Sequence, residues 1–262
     1  MESCKNCGER ILKRYSFCPN CSQKTAIHKL SVHDVAHDAI HYFTHADRGL
    51  FTLVRDLTLK TGIVAHEYIN GMRKKHFPPL NFYLIVGFIL LIAYNLQYLP
   101  PELTAMAQQS VDENTTDIRA LYQIREAKMR LFMIKHSDML MILALPVTAF
   151  SFWLLYIRGK YNFIEHLVAC MYMAGYFMLV YAVLIIPAAY IFNWPDDVGT
   201  LAHFGFQIVY SVIFYHRFMQ KKTWRGAVRP LLAVLLGGTL WITFTMLINL
   251  LYIRTGFWGL FA

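Results

Sequence analysis

The stretch Glu67-Tyr-Ile-Asn-Gly-Met-Arg-Lys-Lys-His-Phe-Pro-Pro79 divides the chain in two: residues before it read as water-soluble, and nearly all those after it as lipid-embedded. Gly71 can end a preceding helical turn, and Pro78 with Pro79 re-aims the chain where an apolar run begins at Leu80. Arg73, Lys74 and Lys75 stand immediately ahead of that run, and loop charge of this sign holds its end of the first membrane helix in the cytosol. The orientation of the whole molecule follows from this junction.

Composition points the same way. Of 262 residues, 56% are hydrophobic and only 16% charged, more apolar than a soluble domain. A net charge of +9 would suit nucleic acid, but the basic residues flank apolar runs instead of spreading over one face. The expected partner is therefore a bilayer with an anionic inner leaflet, and nucleic acid is not expected. No apolar h-region follows Met1, so the amino-terminal segment is expected to stay on the side of synthesis.

Five apolar runs are long enough to cross a bilayer, which takes roughly 20 residues: about 80–98, 139–157, 167–192, 200–219 and 231–253. With the amino terminus inside, the cytosolic parts hold 19 Lys and Arg and the outer parts six, Arg119, Arg125, Lys128, Arg130, Lys135 and Arg254, as the positive-inside rule requires. The fold expected is an all-α membrane protein: a bundle of five transmembrane helices with a cytosolic amino-terminal zinc ribbon and short amphipathic helices. It divides into a zinc ribbon over 1–27, an amphipathic layer over 28–78, and a membrane domain over 79–262. The localisation expected is the inner, cytoplasmic membrane, with the carboxyl terminus on the outer side. Residues 100–137 are expected to form a lid or interfacial helix, helical from Asp117.

Cys4-Lys-Asn-Cys7 and Cys18-Pro-Asn-Cys21 are two knuckles, each able to aim two thiolates at one ion in a reducing compartment. Tetrahedral sulfur ligation is the geometry of structural zinc, closed to substrate, with iron in a rubredoxin-like site as the alternative. So short a segment needs the metal to fold, and its expected job is contact with a partner, a cytosolic protein, or with the membrane part, not catalysis.

After His28, the histidines His33, His37, His41 and His45 are spaced by four and form a stripe beside the apolar face of Val32, Val35, Ala36, Ala39, Ile40 and Phe43 on a helix that Ser31 caps. Three accounts stand for it. It is a polar face on protein or lipid, or a transition-metal site of two adjacent histidines with Asp34 or Asp38, or a pH-responsive surface. Two further amphipathic helices, Leu50 to about Lys60 and Ile63 to Asn70, are separated by a break at Thr61-Gly62. Within the spans, Pro146 and Pro187 suggest kinks, and Gly237-Gly238-Thr239 permits close approach of a neighbour. His203 and Gln207 share a face of the fourth span, while Glu165, His166 and Cys170 gather at the inner end of the third.

These residues resemble a family of uncharacterised bacterial inner-membrane proteins of the domain-of-unknown-function kind. Its members carry a double-knuckle zinc ribbon, an Asp-basic-Gly turn, a Glu-Tyr-Ile-x-Gly-x-Arg segment and several membrane helices. The matching positions are Cys4, Cys7, Cys18 and Cys21, then Asp47, Arg48 and Gly49, then Glu67, Tyr68, Ile69, Gly71, Arg73 and Pro79. The chain departs at Thr61, Met72 and His76, where the resemblance implies Pro, Lys and Tyr. The resemblance brings no activity with it.

Three functions remain open from sequence. The first is an anchor, scaffold or sensor whose ribbon recruits a cytosolic partner. The second is a metal-dependent enzyme at the inner leaflet, with His33, His37, His41 and His45 as candidate ligands and Asp34, Asp38 or Glu67 as acid or base. The third is a metal or small-molecule transporter using His166, Cys170 and His203.

Overall fold

The computed structural model of the chain describes residues 2–12, 14–26, 29–36, 49–96, 105, 118–221 and 223–255. Two short strands, β1 (Glu2–Ser3) and β2 (Arg10–Ile11), pair antiparallel in the ribbon. The rest is mostly helical: α1 (Gly49–Leu59), α2 (Ile63–Ile69), α3 (Pro79–Leu96), α4 (Ile118–Lys135), α5 (Ser137–Leu155), α6 (Phe163–Ile191), α7 (Asp196–Phe218) and α8 (Val228–Thr255).

Local chemistry sets the boundaries. The α2 helix ends in a Schellman motif: the Gly71 amide donates to the Tyr68 carbonyl at 3.1 Å and the Met72 amide to that of Glu67 at 2.9 Å, with Gly71 at φ +108°. The α3 helix begins on Pro79, whose missing N–H is no loss in a first turn. A capping box starts α6, where Asn162 Oδ1 accepts from the Glu165 amide at 2.8 Å and Glu165 Oε2 from the Asn162 amide at 2.8 Å. Pro187 cannot donate to the carbonyl one turn back, and the π-helical turn Tyr181–Ile185 immediately before it takes up the mismatch.

The break between α1 and α2 is built differently from what Thr61-Gly62 suggests. Thr61 occupies the left-handed position, at φ +48°, although a β-branched residue there is strained. Gly62 has ordinary helical angles, φ −61°. Its glycine identity is needed for space: a Cβ would lie 1.9 Å from the Phe214 carbonyl oxygen and 2.7 Å from the Phe218 nitrogen.

That contact seats the α1–α2 hairpin on the bundle. Leu53, Leu57, Val64, Ala65 and Tyr68 join Phe82, Phe152, Tyr172, Phe214 and Phe218 in one apolar core. Backbone carbonyls left over at the end of α1 find partners on α7: Tyr210 donates to the Leu57 carbonyl at 2.9 Å and Arg217 Nη1 to that of Leu59 at 3.0 Å. Thr58 Oγ1 meets the Tyr176 hydroxyl at 2.9 Å. Tyr176 lies 13 residues past Phe163, about 20 Å along α6 at 1.5 Å per residue. The hairpin therefore runs up the flank of the bundle and shares its core.

Among the described residues, three helices are long and apolar enough to cross a membrane: Phe163–Ile191, Val198–Phe218 and Val228–Thr255. They carry the expected runs at 167–192, 200–219 and 231–253. The runs at 80–98 and 139–157 fall on shorter apolar helices, Pro79–Ala93 and Leu140–Leu155. Large apolar side chains such as Leu201, Phe204, Ile242, Phe244 and Leu247 point outward, a surface suited to hydrocarbon and not to water.

Of the packing features, Gly237 lies against α5, where a Cβ would come within 3.3 Å of Ser151 Oγ, whereas Gly238 has open space. Pro146 lies inside α5. The helix expected from Asp117 is α4, and its Arg125 donates to the Ile253 carbonyl at 2.9 Å, satisfying the last turn of α8.

Candidate functional site

The two knuckles are built alike. In the first, the Gly8 amide donates to the Cys4 carbonyl at 2.8 Å and Gly8 turns left-handed, φ +78°. In the second, the Ser22 amide donates to the Cys18 carbonyl at 2.9 Å, and Ser22 takes the same left-handed slot at φ +57°. The β1–β2 pairing and the Phe17–Lys24 bridge hold the knuckles face to face.

The result is a cluster in which the four sulfurs of Cys4, Cys7, Cys18 and Cys21 lie within 4.8 Å of one another. Cys4 Sγ is 3.7 Å from Cys21 Sγ, and Cys7 Sγ is 3.6 Å from Cys18 Sγ. A tetrahedron with metal–sulfur bonds of about 2.3 Å has sulfur–sulfur edges of about 3.8 Å. The four thiols could therefore hold one metal ion with small adjustment. Burial, and then the neighbouring thiols of Cys7 and Cys4, push the Cys21 thiol up to about 11, so ion binding must displace protons. Gln23, buried beside this cluster, accepts from the Lys74 amide at 3.2 Å through Oε1 and ties the ribbon to the junction.

The junction is a polar knot. Glu67 Oε2 accepts from Lys75 Nζ at 2.6 Å and from His76 Nε2 at 2.7 Å. Burial alone would raise the Glu67 carboxyl, but these two donors outweigh it and hold it below the ordinary carboxylate range. His76 is 3% exposed, and burial keeps it below its usual value, so it donates as a neutral ring while Lys75 supplies the charge. Close by, His66 Nδ1 lies 3.1 Å from the Phe218 carbonyl oxygen and 2.9 Å from the Tyr161 hydroxyl. A carbonyl only accepts, so Nδ1 carries the proton. Asn70 Nδ2 donates to the same hydroxyl at 3.3 Å, and Lys160 Nζ to Asn70 Oδ1 at 2.8 Å. Burial also depresses the His66 pKa.

The two described acid–base candidates are thus engaged in structure. Glu67 is the centre of the knot, and Asp34 Oδ2 accepts from the Ser31 amide at 3.0 Å and hydroxyl at 2.6 Å, capping the turn at 32–36. His33 is exposed. His28, His37, His41, His45 and Asp38 lie outside the described residues, as does Asp47-Arg48.

The third set does not converge. His166 and Cys170 meet across the Tyr215 hydroxyl, at 3.5 Å from His166 Nδ1 and 3.2 Å from Cys170 Sγ. His203 instead bonds Gln207 Nε2 at 2.7 Å. It lies 12 residues from Tyr215, about 18 Å along α7, too far to share an ion with the other two. Glu165 is spent on the α6 cap.

A family model described as a protein of unknown function (DUF3667) matches residues 47–91. The match covers α1, α2, the junction and most of α3. No curated protein matches the chain. No solved structure matches it.

Inside that segment the structure explains two of the departures. At position 61 the left-handed backbone excludes the proline implied by the resemblance, since a proline ring fixes φ near −65°. At position 76 the ring of His76 donates to Glu67, as a tyrosine hydroxyl also would. Nothing in the structure explains Met72.

The tyrosines 161, 176, 210 and 215, whose hydroxyls join separate elements, went unmarked in the sequence reading. The available signal was a total of 16 tyrosines in a chain this apolar, each hydroxyl needing a partner once buried.

Proposed function

We propose that the chain is a multi-pass protein of the bacterial inner membrane whose amino-terminal ribbon, folded on zinc, docks a cytosolic protein partner, so that the molecule serves as an anchor, scaffold or sensor. The observation that carries this reading is the four-sulfur cluster, whose 3.6 and 3.7 Å edges match those of a tetrahedral four-thiolate site, which once filled has no position for a substrate. A closed site of that kind is structural, and the ribbon surface does the work. Leu12, Tyr15 and Phe17 are exposed there, Phe17 at 54%, beside Arg14, and aromatic residues and Arg are enriched at protein interfaces.

Five spans support the same reading. The shorter helices α3 and α5 have 18 and 19 residues, about 27–28 Å at 1.5 Å per residue, against roughly 30 Å of hydrocarbon. Counted with α6, α7 and α8 they make five crossings, an odd number that puts the two termini on opposite sides, and the excess of Lys and Arg on one side assigns the amino terminus to the cytosol.

The test places a photo-crosslinking amino acid at Phe17 and, as control, at outward Phe244 in the full chain. Discrete protein adducts from position 17, lost in the Cys18→Ser/Cys21→Ser variant while the chain remains in the membrane, are expected. No adducts, or adducts indifferent to the cysteine changes, contradict the docking role.

A further inference from the structure

At one end of the bundle a cleft of about 490 Å³ opens between α2, the α5–α6 connection and the ends of α7 and α8. Its charge is one-sided. Arg158, Lys160, Lys221 and Arg229 line it with His66, and no carboxylate does. The two acidic residues nearest in sequence are engaged elsewhere, Glu67 by Lys75 and His76, Glu165 by the α6 cap. Among the described residues, Arg158, Lys221 and Arg229 form no salt bridge.

A second observation is independent of the charges. Tyr156, which also lines the cleft, is 4% exposed, and its hydroxyl has no hydrogen-bond partner among the described residues. Its ring is fixed by stacking on Tyr215 and His166, with centroids 6.3 and 6.0 Å away. The Arg229 charge acts on that hydroxyl. A buried hydroxyl without a partner carries a desolvation cost that a ligand oxygen accepting from it would recover.

We propose that this cleft binds a terminal phosphate group, that of a phosphomonoester, with the hydroxyl of Tyr156 and the cations of Arg158, Lys221 and Arg229 as its donors. A phosphate offers several acceptor oxygens and charge near −2, matching a donor-only lining in which guanidinium groups can bond two oxygens at once. The cleft lies where apolar helices end, with Leu155, Ile157 and Met219 in its wall, so the headgroup of an anionic lipid reaches it with its acyl chains still in hydrocarbon. Lys160 is a positioning residue: its ammonium holds Asn70 at 2.8 Å and lies over the Tyr161 ring, 5.5 Å from the centroid. The inference rests on the membrane bundle and is independent of the zinc ribbon.

The test uses the full chain in detergent with dioctanoyl phosphatidic acid, dioctanoyl phosphatidylcholine and inorganic phosphate as separate probes. Phosphatidic acid is expected to bind and phosphatidylcholine to bind at least about tenfold more weakly. Tyr156→Phe removes one hydroxyl and should weaken phosphatidic acid roughly tenfold with a melting temperature at or above the parent's, and Arg158→Gln/Lys221→Gln, both exposed positions, should weaken it about tenfold or more with an unchanged melting temperature. Inorganic phosphate binding as tightly as phosphatidic acid would identify a soluble phosphoryl compound as the ligand, and much weaker phosphate a lipid headgroup; either supports a phosphoryl site. Equal binding of phosphatidylcholine, or affinity for phosphatidic acid unmoved by both variants, overturns it.

Discussion

Gly62→Ala is the smallest change that should unseat the α1–α2 hairpin. The added methyl would sit 1.9 Å from the Phe214 carbonyl oxygen, 2.9 Å from its carbon and 2.7 Å from the Phe218 nitrogen, all backbone atoms of one helix that cannot turn aside. Ordinary contact begins at 3.4 Å, so α2 and α7 must part by about 1.5 Å at this point. The bonds from His66 Nδ1 to the Phe218 oxygen, 3.1 Å, and from Arg217 to the Leu59 carbonyl, 3.0 Å, then exceed hydrogen-bonding distance. Two lost bonds at about 1 kcal/mol each, with about 1–3 kcal/mol for the overpacked contact, give a destabilisation of about 3–5 kcal/mol. Thermal unfolding in detergent, followed by circular dichroism, reads this against Gly238→Ala, where a Cβ meets open space and the helix gains up to about 1 kcal/mol. Gly62→Ala should melt well below the parent and Gly238→Ala at or slightly above it. If the two variants melt together, the hairpin is not seated on α7 as described.

Three other changes follow from the same geometry. Thr61→Gly relieves a left-handed threonine whose buried Oγ1 has no partner among the described residues, and should raise stability by about 1 kcal/mol in the same melting assay. Ser22→Gly places glycine in the slot that Gly8 fills in the other knuckle, and should tighten zinc retention against a chelator by roughly fivefold, about 1 kcal/mol. Burial holds His66 and His76 below the ordinary value of 6.5, so the unfolded chain binds more protons than the folded one below that pH. Stability should be level above pH 6.5 and fall as the medium is acidified below it, and His76→Tyr, which keeps a donor for Glu67, should lessen the fall between pH 7.5 and 5.5.

What the sequence makes legible here is what depends on neighbours in the chain. Apolar period and proline placement locate α1, α2 and the start of α3 on Pro79 to within a residue or two, and Gly71 marks the α2 terminus because a Schellman turn needs left-handed φ. The Cys-x-x-Cys spacing is equally local, and the cluster it implies forms. Contacts between distant segments leave no periodic trace. Gly62 reads as a helix breaker in sequence, yet its size is dictated by Phe214, 152 residues away. The cations of the cleft come from the α5–α6 connection, the end of α7 and the start of α8, and in sequence they look like topology charges. Likewise His166 and Cys170 share a helix face with each other, but their link through Tyr215 exists only once α6 and α7 pack. The histidine stripe is the opposite case, a sharp local pattern whose later members lie outside the described residues.

The zinc site proposed for the four cysteines is the centre of this account, and X-ray absorption at the zinc edge of the purified full-length protein tests it most directly. Four sulfur neighbours at about 2.3 Å, one zinc per chain, and loss of that signal in Cys4→Ser/Cys21→Ser are the results expected. A shell containing oxygen or nitrogen ligands, or a purified, folded chain without bound metal, would contradict a closed site of Cys4, Cys7, Cys18 and Cys21.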